Sequence, residues 1–158
     1  MIIYMENKSL ISQQIAALLE EPDMIAALSN VSACINMNYA NLNWAGLYFV
    51  KNSELVLGPF QGKTACTHIG FGKGVCGTCW QTKKPQRIAD VLSFHGHIAC
   101  DSDSRSELCV PVIVNDEVIM EIDLDAPVKD RFHETEEKEM LEAAAEISAA
   151  YLKHSWKI

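Results

Sequence analysis

Residues 94–112, FHGHIACDSDSRSELCVPV, hold two histidines, two cysteines and three acids, and run into an apolar strand. Such a segment can serve a metal, a disulfide staple or a working thiol. For a metal, His95, His97 and Cys100 have ligand chemistry, and Cys76-Gly-Thr-Cys79 is a CxxC pair. A structural zinc site needs a second close pair, and Cys66 has only His68 near it, so the pattern is incomplete and no metal is expected. For thiol chemistry, Cys100 sits at a loop end where histidines and backbone N–H groups can favour the thiolate. A sulfenic acid formed there needs a resolving thiol. Cys66 and Cys76 lie in glycine-rich turns where access is plausible. Cys34, within an amphipathic helix, and Cys109, at the start of an apolar strand, read instead as small core residues.

Acids and aromatics supply the rest. In VIMEIDLDA, Asp123 and Asp125 share one face of a strand, opposite Ile122 and Leu124. Acids are depleted in strands. They and Glu107 therefore mark either a solvated face or a polar pocket, and the pattern alone leaves both open. In NWAGLYFV, alternation puts Trp44, Gly46 and Tyr48 on one face and Leu47 and Phe49 on the other. The two rings fit either a core or the wall of a small pocket.

These residues need a scaffold. NKSLISQQIAALLEE carries Leu10, Ile11, Ile15, Leu18 and Leu19 at helical spacing and ends at Pro22. A second helix, N-capped by Asp23, presents Met24, Ile25, Leu28, Val31 and Ile35. Strands over 44–50 and 55–60 form a hairpin around KNSE, and 65–71 gives a third strand. A short helix starts near Val75, and PQRIADV is extended. Strands over 108–114 and 118–126 form a second hairpin around NDE. The last segment is a helix with Met140, Leu141, Ala144, Ile147, Tyr151 and Leu152 as its buried stripe. The fold class is α+β: a central antiparallel sheet flanked by N-terminal and C-terminal helices. Residues 90–105 form the longest irregular stretch, and such loops in compact domains are usually functional.

The 158 residues suit one domain. It divides into helices over 1–40, sheet and site loops over 41–130, and the last helix over 131–158. A net charge of −8 with no Lys/Arg cluster argues against nucleic acid and anionic membranes as partners and favours an ammonium-bearing ligand. MIIYMENKSL has no basic stretch followed by a long apolar run, so no leader is expected and the reading is cytoplasmic. Six cysteines in a reducing compartment point to redox, catalytic or metal roles rather than staples.

Taken in order, NWAGLY, LVLGPFQGKTAC, GKGVCGT, QRIADV, FHGHIACDSDSRSE and IDLD closely resemble the free methionine-(R)-sulfoxide reductases, which are single GAF-domain enzymes. The resemblance runs from about residue 30 to 140. It implies a GAF domain that reduces free methionine (R)-sulfoxide, with thioredoxin as external reductant and no cofactor. It makes Cys100 the sulfoxide-attacking residue, Cys66 the main resolving cysteine and Cys76 a third redox cysteine. It also makes Glu107, Asp123 and Asp125 pocket acids and Trp44 and Tyr48 the aromatic wall. A homodimer stays open, and a non-catalytic small-molecule-sensing GAF module is the alternative function. The chain departs from the pattern at Cys79, normally a small non-thiol residue, at Cys109 and Glu121, normally aliphatic and apolar, and at Ala126, normally serine.

Overall fold

Two tight turns set the register of the sheet. The computed structural model describes residues 7–158. Strand β1 (Trp44–Lys51) returns as β2 (Glu54–Gly62) through Asn52 and Ser53. Strand β5 (Ser106–Val114) returns as β6 (Glu117–Ala126) through Asn115 and Asp116. All four turn residues have positive φ, between 50° and 64°. A two-residue turn with both central residues left-handed matches the right-handed twist of the strands it joins. Between Gly46 and Tyr48, β2 inserts one extra residue around Gly58-Pro59. A bulge accommodates the proline, which has no N–H for the ladder.

The two hairpins meet through β1 and β6, which pair antiparallel from Trp44–Asp125 to Phe49–Met120. Short edges complete the sheet: β3 (His68–Ile69) beside β2, and β4 (Gln86–Ile88) beside β5. The order is β3-β2-β1-β6-β5-β4, so β1 and β6 are the central strands.

One face of this sheet is covered by three helices: α1 (Leu10–Leu18), α2 (Met24–Asn38) and α4 (Glu134–Lys153). Ser9 caps α1, and Asp23 caps α2 as expected, accepting from the Ala26 N–H at 2.9 Å. Ile15, Leu28, Val31 and Ile35 pack there against Ala45, Leu47, Ile122 and Leu124, all fully buried. Each such side chain contributes about 1.5–3 kcal/mol by leaving water. The other face carries α3 (Gly74–Thr82), the chain over 63–73 and the loop over 90–105, around Trp44, Tyr48, Val75 and Cys109.

Several expectations need correction. Leu10, Ile25, Leu141 and Leu152 are exposed rather than buried. On α4 the buried face is Met140, Ala143, Ala144, Ile147 and Ala150, because small residues let the helix approach the sheet closely. The third strand shrinks from 65–71 to two residues, because the chain on either side turns into the cavity and into Gly70 and Gly72. Residues 1–6, part of the stretch read as lacking a leader, lie outside the described residues. No helix among the described residues is long and apolar enough to cross a membrane.

Candidate active site

The central place of β6 decides the question that pattern left open. Ile122 and Leu124 enter the helix-covered core, so Asp123 and Asp125 must face the other way. On a central strand beneath α3 and two loops, that face is a cavity floor. Glu107 of β5 stands opposite Asp125 in the ladder, and Cys109 opposite Asp123. Glu107 is 6% exposed and Asp123 4%.

Burial pushes the Glu107 and Asp125 carboxyls well above the usual carboxylate range, and the neighbouring Asp123 charge adds to it. Burial also raises Asp123, while interaction with Glu107 and Cys76 restrains the rise. Three carboxyls this close cannot all ionise freely, so the floor favours keeping a proton among them.

The wall across from Glu107 is aromatic. Trp44 stacks with Tyr48, ring centroids 5.8 Å apart, and with Phe60 at 5.2 Å. The Trp44 indole N–H donates to the Lys63 carbonyl at 3.2 Å, and the Tyr48 hydroxyl donates to the Cys66 carbonyl at 2.8 Å. These two bonds hold the segment carrying Cys66 over the cavity. From the other rim, Cys100 meets it in a Cys66–Cys100 disulfide with Cα atoms 5.4 Å apart. That separation lies within ordinary disulfide geometry. Both cysteines are partly exposed, whereas Cys76 is buried. The Cys76 thiol reaches Glu107 Oε1 at 3.7 Å. Hydrogen bonding with Cys109 favours its thiolate, but burial and the carboxylates of Asp123 and Glu107 win and raise it.

The loop bearing Cys100 is tied at several points. Asn43 donates to Asp101 Oδ2 at 2.9 Å and to Ser104 at 3.0 Å. The Asp103 N–H donates to Asp101 Oδ1 at 2.9 Å. Asp101 and Ser104 line the cavity and Asn43 anchors them; the DSDS run, an Asx-turn signature, is the signal that could have found them. His97 also lines the cavity, 3.9 Å from Glu107 Oε2. Burial lowers His97 and raises Glu107, so both shifts work against an ion pair between them. His95 is exposed on the loop, and His68 pairs with Glu54 on the sheet edge. The histidines therefore do not converge as ligands. Among the described residues, the groups able to hold an ion are Glu107–Asp123–Asp125, Cys76–Cys109–Asp123 and Cys79–Cys109–Glu121.

The cavity holds about 480 Å³ of atom-free space, including its open mouth. Gly74, Val75 and Cys76, the first turn of α3, close its side. Helix-start N–H groups there suit an anionic group. Acid on the floor, amide donors at one side and aromatic rings opposite together match a small zwitterion with an apolar end.

Residues 28–152 match the GAF domain family. The chain is 40% identical to the free methionine-R-sulfoxide reductase of Escherichia coli, over 87% of this chain and 83% of that one. It is 46% identical to the Saccharomyces cerevisiae enzyme of the same name, over 78% and 72%. This chain belongs to the free methionine-(R)-sulfoxide reductase family. A solved structure of the Neisseria meningitidis free methionine-R-sulfoxide reductase, in complex with its substrate, superposes with a TM-score of 0.89 at 35% identity, covering 92% of this chain and 88% of that one. The GAF match takes in every element that lines the cavity and leaves out α1, which only packs behind the sheet.

Proposed function

We propose that this chain reduces free methionine (R)-sulfoxide to methionine, with Cys100 as the attacking thiol and Cys66 as the resolving one. The observation that carries the reading is the Cys66–Cys100 disulfide at the mouth of an acid-floored, aromatic-walled cavity. The substrate ammonium sits on Asp123, Asp125 and Glu107, its carboxylate at the first turn of α3, and its methylthio end between Trp44 and Tyr48. An enclosed ammonium and carboxylate leave no room for peptide bonds, so only the free amino acid fits. The R epimer is taken from the family.

In the first step the Cys100 thiolate attacks the sulfoxide. A protonated floor carboxyl supplies a proton to the oxygen, the oxygen passes to Cys100 as a sulfenic acid, and methionine leaves. The Cys66 thiolate then attacks the Cys100 sulfur. The S–O bond breaks, a second proton completes water, and the Cys66–Cys100 disulfide forms. An external dithiol, thioredoxin, returns both thiols by exchange, which suits a reducing cytoplasm. Cys76, buried beside Glu107, stands ready as a second resolving thiol. No metal or organic cofactor enters these steps.

The test is incubation with each epimer and a thioredoxin system, followed by methionine detection. The R epimer alone should be consumed, and binding without turnover would leave a sensing module. Cys100→Ser should abolish turnover in a folded protein. Cys66→Ser should release about one methionine per chain in a single turnover and then stall. Sustained cycling of Cys66→Ser would move the resolving role to Cys76 or Cys79.

A further inference from the structure

Beneath the cavity floor lies a second group of side chains, of which the proposed reaction gives a role only to Cys76, as a reserve resolving thiol. Cys76 and Cys79 are three apart on α3 and so share its sheet-facing side. Cys109 faces them from β5 and Glu121 from β6. We propose that Cys79, Cys109 and Glu121, with a fourth position open to water, form a binding site for a thiophilic divalent cation of the zinc class. The proposal rests on this cluster alone and stands whether or not the reductase reading holds.

The spacing fits. The ligand atoms of Cys79, Cys109 and Glu121 lie within 4.8 Å of one another, and so do those of Cys76, Cys109 and Asp123. Around a tetrahedral zinc with Zn–S of about 2.3 Å, sulfurs stand about 3.8 Å apart, so a shift of ~1 Å closes the Cys79–Cys109–Glu121 trio. Cys109 Sγ already lies 3.2 Å from Glu121 Oε2. The chemistry fits as well. Two sulfurs and one carboxylate select a soft or borderline ion over magnesium or calcium.

Glu121 carries the argument furthest. It is fully buried, and its second oxygen, Oε1, has no hydrogen-bond partner. An unsatisfied buried carboxyl oxygen is costly, and a cation between α3 and the two strands would satisfy it. A cation binds thiolates and a carboxylate, so binding should release protons. Cys76 and Asp123 belong to both the cluster and the cavity wall, which gives an ion a way in.

The experiment is an anaerobic cobalt(II) titration of the full chain carrying Cys66→Ser and Cys100→Ser, reduced with a phosphine, so that the cavity-mouth thiols cannot contribute. A sulfur-to-cobalt charge-transfer band and strong visible bands of a tetrahedral ion should saturate near about one equivalent and vanish on adding zinc. Adding Cys79→Ser or Cys109→Val should weaken binding by about tenfold or more, and Cys34→Ser should change nothing. Glu121→Gln, which keeps the side-chain shape, should also weaken it and serves if a cysteine variant fails to fold. Absence of the charge-transfer band overturns the proposal. So do bands that survive both cysteine changes or depend on Cys34, and so does a weak octahedral spectrum, which would assign the ion to the oxygen-only trio Glu107–Asp123–Asp125.

Discussion

Asp125 is the most open of the three floor acids, partly exposed where Glu107 and Asp123 are buried, and so the one best placed to meet an incoming ammonium. Burial and the Asp123 charge raise its pKa. The ionised form that attracts an ammonium is therefore reached only above the usual carboxylate range, and substrate KM should fall as pH rises from about 5 to about 8. Asp125→Asn removes one charged partner, worth about 1.5–3 kcal/mol, so KM should rise roughly 10- to 100-fold. The pH slope of KM should flatten with it. Steady-state kinetics across that range are the check, and an unchanged KM would move the ammonium off Asp125. At this scale much was legible. Period-two alternation along β1 and β6 put Trp44, Tyr48, Asp123 and Asp125 on their correct faces. It could not decide between pocket and solvent, because that depends on strand order, and only the central place of β6 settles it. Cys109 reads as core, and it is buried in the apolar cluster around Trp44, Tyr48 and Val75, with its sulfur also 3.2 Å from Glu121 Oε2.

Among the elements, α3 does most to shape the site, and its glycines explain how it comes so close. Gly77 lies against the turn at 70–72, with the Gly72 N–H donating to the Gly77 carbonyl at 3.0 Å. In an exposed helix, glycine to alanine gains up to ~1 kcal/mol. Here an added Cβ would stand 2.5 Å from the Gly70 carbonyl oxygen and 3.1 Å from the Gly72 carbonyl carbon. Those are backbone atoms that cannot turn aside, and overpacking costs about 1–3 kcal/mol. The steric cost wins, so Gly77→Ala should lower stability by about 1–2 kcal/mol in urea unfolding. It should also cut kcat/KM, because α3 carries Gly74, Val75 and Cys76 to the cavity. A variant more stable than the parent would show that the turn gives way. Both hairpins were readable because apolar periodicity and two-residue turns are local signals. The edge strand β3 was overread, since its length depends on where the chain leaves for the cavity. The cation cluster was invisible for a related reason: its ligands come from α3, β5 and β6, and cross-strand register appears in no spacing rule. Three of the four departures from the family pattern, Cys79, Cys109 and Glu121, nonetheless meet in that cluster.

For the whole molecule, the buried acids should set how stability varies with pH. Glu107, Asp123, Asp125 and Glu121 all have raised folded-state pKa values, with burial the leading cause. Below about pH 4 these groups are protonated in both states and their contribution is fully present. As pH climbs past 4 the unfolded chain ionises while the folded one does not, so stability is lost until the higher folded values are reached. Asp101, held down by the Asp103 N–H, and Asp90, held down by Lys129, act in the opposite sense and cost stability only as pH falls below the usual carboxylate range. Together they place the maximum near pH ~5, with a declining limb toward pH ~8. Self-repulsion from the net charge of −8 slopes the same way, so the two causes must be separated. Glu121→Gln and Asp130→Asn each remove one ionisable carboxyl, but Glu121 is buried and Asp130 is exposed in a left-handed turn that asparagine also tolerates. With chelator present, to keep any bound cation from masking the effect, Glu121→Gln should raise Tm at pH 8 relative to pH 5 by about 3–6 °C, since ~1 kcal/mol moves Tm by about 2–4 °C at this size. Asp130→Asn should leave the limb within about 1 °C of the parent. Equal effects from the two variants would assign the limb to net charge and deny the buried acids their part in it.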